Sequence, residues 1–508
     1  MTPNAATGIP STAGLTTKVV IGSLWTLAGQ IVPLGLSFVA TYFVIRLLDD
    51  DGYGALIFIG LVPTYLAFAD LGMSVASTKF AAEAFGRGDH KKEADTVRTC
   101  MGIALVSAIP IAAIVFLFSD AIIRLGKVPE YLVSDAGAAL RIVSVSFVIG
   151  LLNGIINTPE LTRLRMDLNT FVNAGSRIFT IVATPVVLYL GYGLVGAAVV
   201  ILLGSIVNFC GHLVISGRLL KNIFELSIDR SLILPLSRFG GALLVSFVAT
   251  SIVSHSEKLI LPALVSSRGL GYYSVAFTLA SLATFFSAAM VQSLIPAFSQ
   301  LFSTEKKTEL VELFRRSIKL NLMVLLPVIA ILAIFARPFF FMWGGEGFGR
   351  ESTSPFYILL AGLLFNIAAY TPYALLLAAG RSGLLAKLYW IEAIVYIPLA
   401  FFLISRFSII GAALAWSIRV VCDAMILGIF AGNLVNARLE WMFLSRLLLG
   451  AAIFAPPLVL ATAFENYTAW LVLSATLSLA TYCYVTWTRS VTTDEKTWIL
   501  NRFRAMVA

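Results

Sequence analysis

The chain reads as an all-α polytopic membrane protein with about fourteen transmembrane helices, and three observations lead there. Of its 508 residues, 59% are hydrophobic and 12% charged, against about 25% charged in ordinary soluble domains. Apolar runs of about 20 residues, the length of one bilayer crossing, recur from end to end. Basic residues collect between those runs. The net charge of +9 therefore marks membrane sidedness and not nucleic-acid binding.

Taken in order, the predicted crossings lie near 19–47, 54–83, 98–119, 138–159, 168–190 and 194–216. Six more lie near 237–264, 271–298, 318–342, 354–379, 384–405 and 409–431, and a final pair near 444–463 and 468–488. With both termini cytoplasmic, inward-facing segments hold 25 Lys and Arg and outward-facing ones hold eight, the bias the positive-inside rule demands. Residues 1–17, uncharged up to Thr17 and rich in Thr, Ala, Gly and Pro, suit a disordered cytoplasmic tail, and 491–508 a second tail. No secretory signal is read at the start.

The chain repeats itself. An acidic, Gly-punctuated turn at Asp50-Asp51-Gly52-Tyr53-Gly54 opens an apolar helix that carries Asp70 and ends in a basic loop, Arg87 to Lys92. Aligning Gly52-Tyr53-Gly54 with Gly269-Leu270-Gly271 sets an offset of 217, at which Arg98 falls on Arg315. The segments Gly191–Ala198 and Arg406–Ala413 match at 215. Six crossings per repeat is even, so both halves insert the same way up, related by a pseudo-twofold along the membrane normal. The expected organisation is an N-lobe over 18–218, an amphipathic cytoplasmic linker over 219–236, a C-lobe over 237–436, and two extra helices within 437–490. A cavity between the lobes is the expected place for substrate. Residues 494–506 form a second amphipathic stretch, and both suit the cytoplasmic interface of the membrane.

Four isolated cysteines support neither a disulfide frame nor a metal site. No P-loop is present, no cofactor is implied, and the gaps between crossings are too short for the acid-bearing soluble loop of a glycosyltransferase. The expectation is a transporter and not an enzyme.

Several segments resemble one family. The order Arg46-Leu47-Leu48, Gly52-Tyr53-Gly54, Asp70-Leu71-Gly72, Ala76 and Ala81-Ala82 before a basic loop resembles the bacterial polysaccharide (O-antigen, Wzx-type) flippases. Leu270–Ala276 and Pro296–Ser299 resemble the matching second-half segment. The superfamily also holds multidrug/cation antiporters and the lipid II flippase. The resemblance covers nearly the whole chain, including the two extra helices. It implies flipping of an undecaprenyl-diphosphate-linked oligosaccharide from the cytoplasmic to the outer leaflet of the inner membrane by alternating access, in a monomeric unit. H+ or Na+ is the candidate coupling ion, and glycan polymerase or assembly proteins are candidate partners. The alternatives are a cation-coupled multidrug exporter and a lipid II flippase.

Such a cargo calls for cations near its phosphates and polar groups near its sugars. An ionisable residue inside the bilayer costs about 2.5–3.5 kcal/mol to insert, so each one marks a candidate site. Arg141, Arg177 and Arg419 lie inside crossings, and a guanidinium binds phosphate in a bidentate fashion. Arg177 sits nearly mid-span with no acid within four residues; Arg141 lies near the outer end and can snorkel; Arg419 has Asp423 one turn on. Arg46, in the family-like motif at the outer side, joins the group. In the seventh crossing, Ser254-His255-Ser256-Glu257-Lys258 is the densest polar run. Glu257 and Lys258 point about 100° apart and need not neutralise each other. Lys258 is a phosphate candidate, and Glu257 and His255 are ion-coupling candidates. Asp70 is the first-choice coupling acid and aligns with Ser287 in the second half. Asn153 and Asn157, followed by Glu160, are glycan candidates whose commoner use is interhelix bonding. Glu392 stays unassigned.

Overall fold

The computed structural model describes residues 12–436, apart from 221–222, 224, 226–227 and 304–305, together with 452–463, 468–490 and 496. Among the described residues there is no strand. This follows from the solvent: hydrocarbon offers backbone N–H and C=O groups no partner, so a spanning chain satisfies them within helices. Nine of the described helices are long and apolar enough to cross a membrane. Some serve two crossings. In α14 (Ser382–Val435), Ser408 leaves the helical region with φ 55° and ψ −131°, so the arms before and after it each exceed the ~20 residues of one crossing. Predicted crossings eleven and twelve thus share one helix.

By contacts the chain divides into two units. Unit 1 is Met1–His255 with Ser266–Gly271, and unit 2 is Ser256–Val265 with Tyr272–Ala508. Unit 1 contains α1 (Thr12–Tyr65), a 3₁₀ turn (Leu66–Asp70), α2 (Met73–Gly86), α3 (His90–Leu117), α4 (Ser119–Leu125), α5 (Glu130–Ile156), α6 (Thr158–Thr162), α7 (Met166–Tyr189), α8 (Gly193–Leu219) and the first part of α9 (Arg230–Leu264). Helix α5 packs on α8 and α3, and α1 on α7. Asp49 (φ 58°, ψ −176°) breaks α1 at the acidic turn. Its Oδ1 accepts the Gly52 N–H at 2.9 Å, capping the helix that restarts there. Helix begins at Thr12, inside the segment expected as a tail; residues 1–11, 437–451 and 497–508 lie outside the described residues, and with them the C-terminal amphipathic stretch save 496.

The second crossing, read from sequence as one helix over 54–83, is broken. After the 3₁₀ turn, Leu71 (φ 49°) and Gly72 (φ 73°) are left-handed, and α2 starts anew at Met73. The reason is a close crossing with α9: a Cβ on Gly72 would lie 2.7 Å from the Gly240 carbonyl oxygen, and one on Gly240 would lie 2.2 Å from that of Leu71. The linker packs against the same region. Leu220, Ile223, Leu232 and Leu236 are buried with Met73, Val97 and Cys100. The buried guanidinium of Arg98 donates to the Glu225 carbonyl at 2.9 Å and its carboxylate at 3.1 Å, so the linker's apolar side rests on unit 1.

Unit 2 contains the last part of α9, then α10 (Ser267–Ser281), α11 (Thr284–Ser303), α12 (Lys307–Glu351), α13 (Thr353–Ala378), α14, α15 (Ala455–Ala463) and α16 (Thr468–Val485). The predicted eighth crossing is also divided, between α10 and α11, so both members of the repeated pair are interrupted helices. Helices α15 and α16 pack on α12 through Leu326, Ile334, Phe454 and Leu471, and the Tyr482 hydroxyl donates to the Met323 carbonyl at 2.9 Å.

Substituting Gly72→Ala should lower the melting temperature of the purified protein. The left-handed backbone alone costs an L side chain about 1–2 kcal/mol, and the contact with Gly240 adds to it. Gly60→Ala, in a helix with nothing within 4 Å of the new Cβ, is the control and should leave the melting temperature unchanged or raise it.

Candidate functional site

The densest charge inside the membrane-spanning part of unit 2 is a network on α9, α10 and α14. Glu257, with no exposed surface, receives the Tyr396 hydroxyl on Oε2 at 2.7 Å and the Tyr273 hydroxyl on Oε1 at 3.4 Å. Lys258 leaves α9 in a different direction, and its Nζ lies 4.0 Å from the centre of the Phe277 ring, a cation–π contact. Phe277 in turn meets Trp416 edge-on, with 5.5 Å between ring centres. The expectation that neighbours on one helix need not neutralise each other is met by these separate partners.

Arg419, on the second arm of α14, lies over Tyr396 at 5.5 Å and approaches Glu392 on the first arm, Nη1 to Oε2 being 3.7 Å. Asp423 lies one turn beyond Arg419 on the same arm. Arg419 thus pairs with Glu392 on the facing arm, where the sequence pointed to Asp423 one turn along its own helix. Tyr396 links the Glu257 and Arg419 ends, giving a continuous polar chain through helices that otherwise bury Leu385, Ala393, Ala400 and Val420.

The remaining candidates fall elsewhere. Arg177 is exposed on α7 with no ion pair to a described residue. Arg46 lies over the Tyr42 ring at 4.6 Å. Arg141 is tied to Asp120 at 2.8 Å. Asn153 donates to the Ser205 carbonyl at 3.4 Å while its side-chain oxygen and that of Asn157 are buried without hydrogen-bond partners. His255 is in α9, and its side chain lies outside the described residues. Asp70 accepts the Ser74 N–H at 3.1 Å and the Ser74 hydroxyl at 3.0 Å; the carboxylate caps the restart of the broken helix. Its repeat counterpart Ser287 donates to the buried Asn321 side chain at 2.9 Å.

Sequence reasoning missed three pairings in unit 1. The Arg268 guanidinium makes a bidentate contact with Asp51, its Nε donating to Oδ1 at 2.6 Å, and the Tyr131 hydroxyl donates to the same carboxylate at 3.2 Å. The signal was present, because 51 and 268 are separated by the repeat offset of 217. Glu93 holds Arg163 at 2.5 and 3.2 Å, and His212 meets Glu160 at 2.9 Å with both side chains fully buried. Nothing in the sequence spacing announces either. Nearby, the Arg165 guanidinium donates to the Asp167 carboxylate through Nε at 3.0 Å and Nη2 at 2.9 Å.

Unit 2 also holds an apolar cavity of about 460 Å³ lined by Leu326, Ala333, Tyr357, Leu364 and Phe454, a surface suited to hydrocarbon.

Interrupted helices, buried ionised side chains and an all-helical, membrane-crossing chain define a transporter fold. The solved structure of the lipid II flippase MurJ in an inward closed conformation shares it, with a TM-score of 0.69 at 17% identity over 92% of this chain and 98% of that one. The sequence profile of the family described as "Polysaccharide biosynthesis protein" matches residues 19–302, and the chain belongs to that family. A protein of Shigella flexneri described as an O-antigen transporter is 22% identical over 81% of this chain and 97% of its own length. A succinoglycan biosynthesis transport protein of Rhizobium meliloti is 22% identical over 72% of this chain and 70% of its own.

Two substitutions probe these contacts. Tyr396→Phe removes the 2.7 Å donor to Glu257 and should cost about 1.5–3 kcal/mol of stability, the usual worth of a hydrogen bond to a charged group, read as a lower melting temperature. Exchanging the outer pair (Asp51→Arg with Arg268→Asp) should recover part of the stability that either single change loses; additive losses would show that the two side chains do not act together.

Proposed function

We propose that the protein is a flippase that moves a lipid-linked oligosaccharide across a membrane, and that it is a transporter and not an enzyme. The observation that carries this reading is the set of ionisable groups kept inside membrane-crossing helices of unit 2: Glu257, Lys258, Glu392, Arg419 and Asp423. Helices that served only as a scaffold would not retain them at about 2.5–3.5 kcal/mol each. Membership of a polysaccharide biosynthesis family and relatives described as O-antigen and succinoglycan transporters support a glycan cargo over a drug. The fold likeness to the lipid II flippase is silent on cargo.

In this reading the cargo is an undecaprenyl-diphosphate-linked oligosaccharide, taken from the cytoplasmic leaflet of the bacterial inner membrane and released in the outer leaflet by alternating access. The chain is a monomeric unit with both termini cytoplasmic. Arg177, Arg46 and Lys258, which form no ion pair with a described residue, serve the diphosphate. Arg419 and Arg141, already facing Glu392 and Asp120, exchange those partners for phosphate. Asn153 and Asn157, with their unpartnered oxygens, serve sugar hydroxyls. The apolar cavity beside α15 accommodates part of the hydrocarbon tail. Coupling to H+ or Na+ involves acids of the membrane interior; Asp70, Glu257 and His255 are the residues first suggested by sequence.

Deleting the gene should remove cell-surface polysaccharide and cause lipid-linked oligosaccharide to accumulate, measured by mass spectrometry of the lipid extract. Unchanged surface polysaccharide refutes the assignment. Arg177→Ala and Lys258→Ala should each reduce surface polysaccharide several-fold while the amount of protein in the membrane stays constant; wild-type polysaccharide in both refutes the phosphate roles.

A further inference from the structure

We infer that the His212–Glu160 pair of unit 1 is a proton site of the membrane interior, holding one proton in the bond between its side chains and a second, exchangeable one on an outer atom. The inference deepens the transport reading and rests on it only for the use to which the proton is put.

A break in helix builds the pair. Helix α5 ends at Ile156 and Pro159 stands in the first turn of α6. Glu160 then meets His212 on α8, with 2.9 Å between its Oε1 and the imidazole Nδ1. Neither side chain has any exposed surface. Both lie in segments long and apolar enough to cross a membrane, Glu130–Thr162 and Gly193–Leu219. Flanking bonds fix the contact: the Ser77 and Thr158 hydroxyls lie 2.9 Å apart, and the Ser216 hydroxyl donates to the Ile156 carbonyl at 2.7 Å.

The hydrogen bond itself needs one proton. With that proton alone the pair is a carboxylate beside a neutral imidazole and carries one negative charge. The charged residues on the elements packed against it face other partners. On α2, Lys79 and Glu83 face each other; after α6, Arg163 is held by Glu93, which His90 also meets, and Arg165 by Asp167. On α5, Arg141 and Glu130 bind Asp120 and Arg124, and Asp135 is exposed. On α1, Arg46 lies over Tyr42, Asp49 caps Gly52 and Asp51 binds Arg268; Arg177 on α7 and Arg218 on α8 are exposed. An unbalanced charge in the interior is expensive, and a second proton removes it.

That proton has two addresses, Nε2 of the imidazole and Oε2 of the carboxyl. Neither atom has a hydrogen-bond partner among the described residues. Whichever holds the proton is a donor and the other an acceptor, so water, which is both, suits the pair as the relay. The nature of the counter-group separates this pair from other buried acids. Glu93 and Glu392 face guanidinium groups, which keep their protons, whereas imidazole gains and loses one near neutral pH. A sodium ion could take the second proton's place in the charge count, but hard cations take several oxygens and the pair offers one.

The test is histidine C2 hydrogen exchange of the full-length purified protein in D₂O across a pH series, read by mass spectrometry. Exchange at C2 passes through the protonated ring, so a ring sealed from water and protons is silent. The chain has three histidines, and the largely exposed His90 is the internal standard. In the native wild type His212 should exchange with a sigmoidal pH profile, unchanged when sodium replaces potassium in the buffer. No exchange at any pH before unfolding would mark a dry structural pair and overturns the site; suppression by sodium assigns the second charge to a metal ion and overturns it too. Glu160→Gln should move the midpoint, and an unmoved midpoint overturns the pairing. The wild-type arm needs no folded variant, and none of these readouts depends on transport, so a failed flippase assignment stays distinguishable. In proteoliposomes whose transport responds to a pH gradient, Glu160→Gln should keep downhill transport and lose that response; a retained response overturns the coupling role.

Discussion

The structure depends on one constraint: hydrocarbon supplies no hydrogen bonds. Helix is then the default for every crossing, and each departure from helix has to bring its own partner. The breaks obey this. At Asp49 the side-chain oxygen takes the Gly52 N–H; at Leu71–Gly72 the Asp70 carboxylate takes the Ser74 N–H. At both places an aspartate stands in for a missing turn of helix, and one of them, Asp70, is an acid that the sequence marks as a candidate for chemistry. The same constraint explains the glycines at the second break, because a chain that leaves the helix in a crowded bundle must pass close to its neighbour. Gly72 and Gly240 remove the two Cβ atoms that would prevent it.

Charges in the interior follow a parallel rule. Several buried acids meet donors: tyrosines for Glu257, a guanidinium for Glu93, an imidazole for Glu160. In unit 1 Arg163 also lies over the Phe85 ring at 4.5 Å, and these pairs fasten the short α6 between longer helices. Buried atoms without a hydrogen-bond partner remain in both units, at Glu392 Oε2 and Arg419 Nε in unit 2 and at Glu160 Oε2 and His212 Nε2 in unit 1. A fully satisfied network rigidifies, whereas one short of a partner invites a ligand.

Much of the fold was legible in the sequence for the same physical reason. Apolar length and the placement of Lys and Arg report the bilayer directly, so the class, the spacing of crossings and the repeat could all be read. The break inside the second crossing could not. Leu66-Ala67-Phe68-Ala69 reads as helix, and Gly72 alone hints that the chain turns left-handed. The site was half visible. Glu257, Lys258 and Arg419 stood out as charges in apolar runs, but Tyr396 and Tyr273 look like any interfacial aromatic until the helices are packed. Glu392 needed the register of the two arms of α14 around Ser408, which is a tertiary fact. Asp70 drew attention for its isolation, and the structure shows that isolation along the chain is compatible with a purely local role.

The duplication itself explains the outer ion pair. Positions 54 and 271 are equivalent in the repeat, and they meet: a Cβ on Gly271 would lie 3.2 Å from the Gly54 Cα. Positions 51 and 268 are equivalent too, and they also meet. When two equivalent positions touch, identical residues face each other, and only some residues tolerate that. Glycine does, because two backbones can approach without side chains between them, and both copies remain glycine. A charged residue does not, since aspartate against aspartate or arginine against arginine would repel. A duplicated chain that keeps an ion pair at such a contact must let its two copies diverge, one acidic and one basic. Asp51 and Arg268 are that divergence, and the neighbouring glycines are the residues that had no need of it.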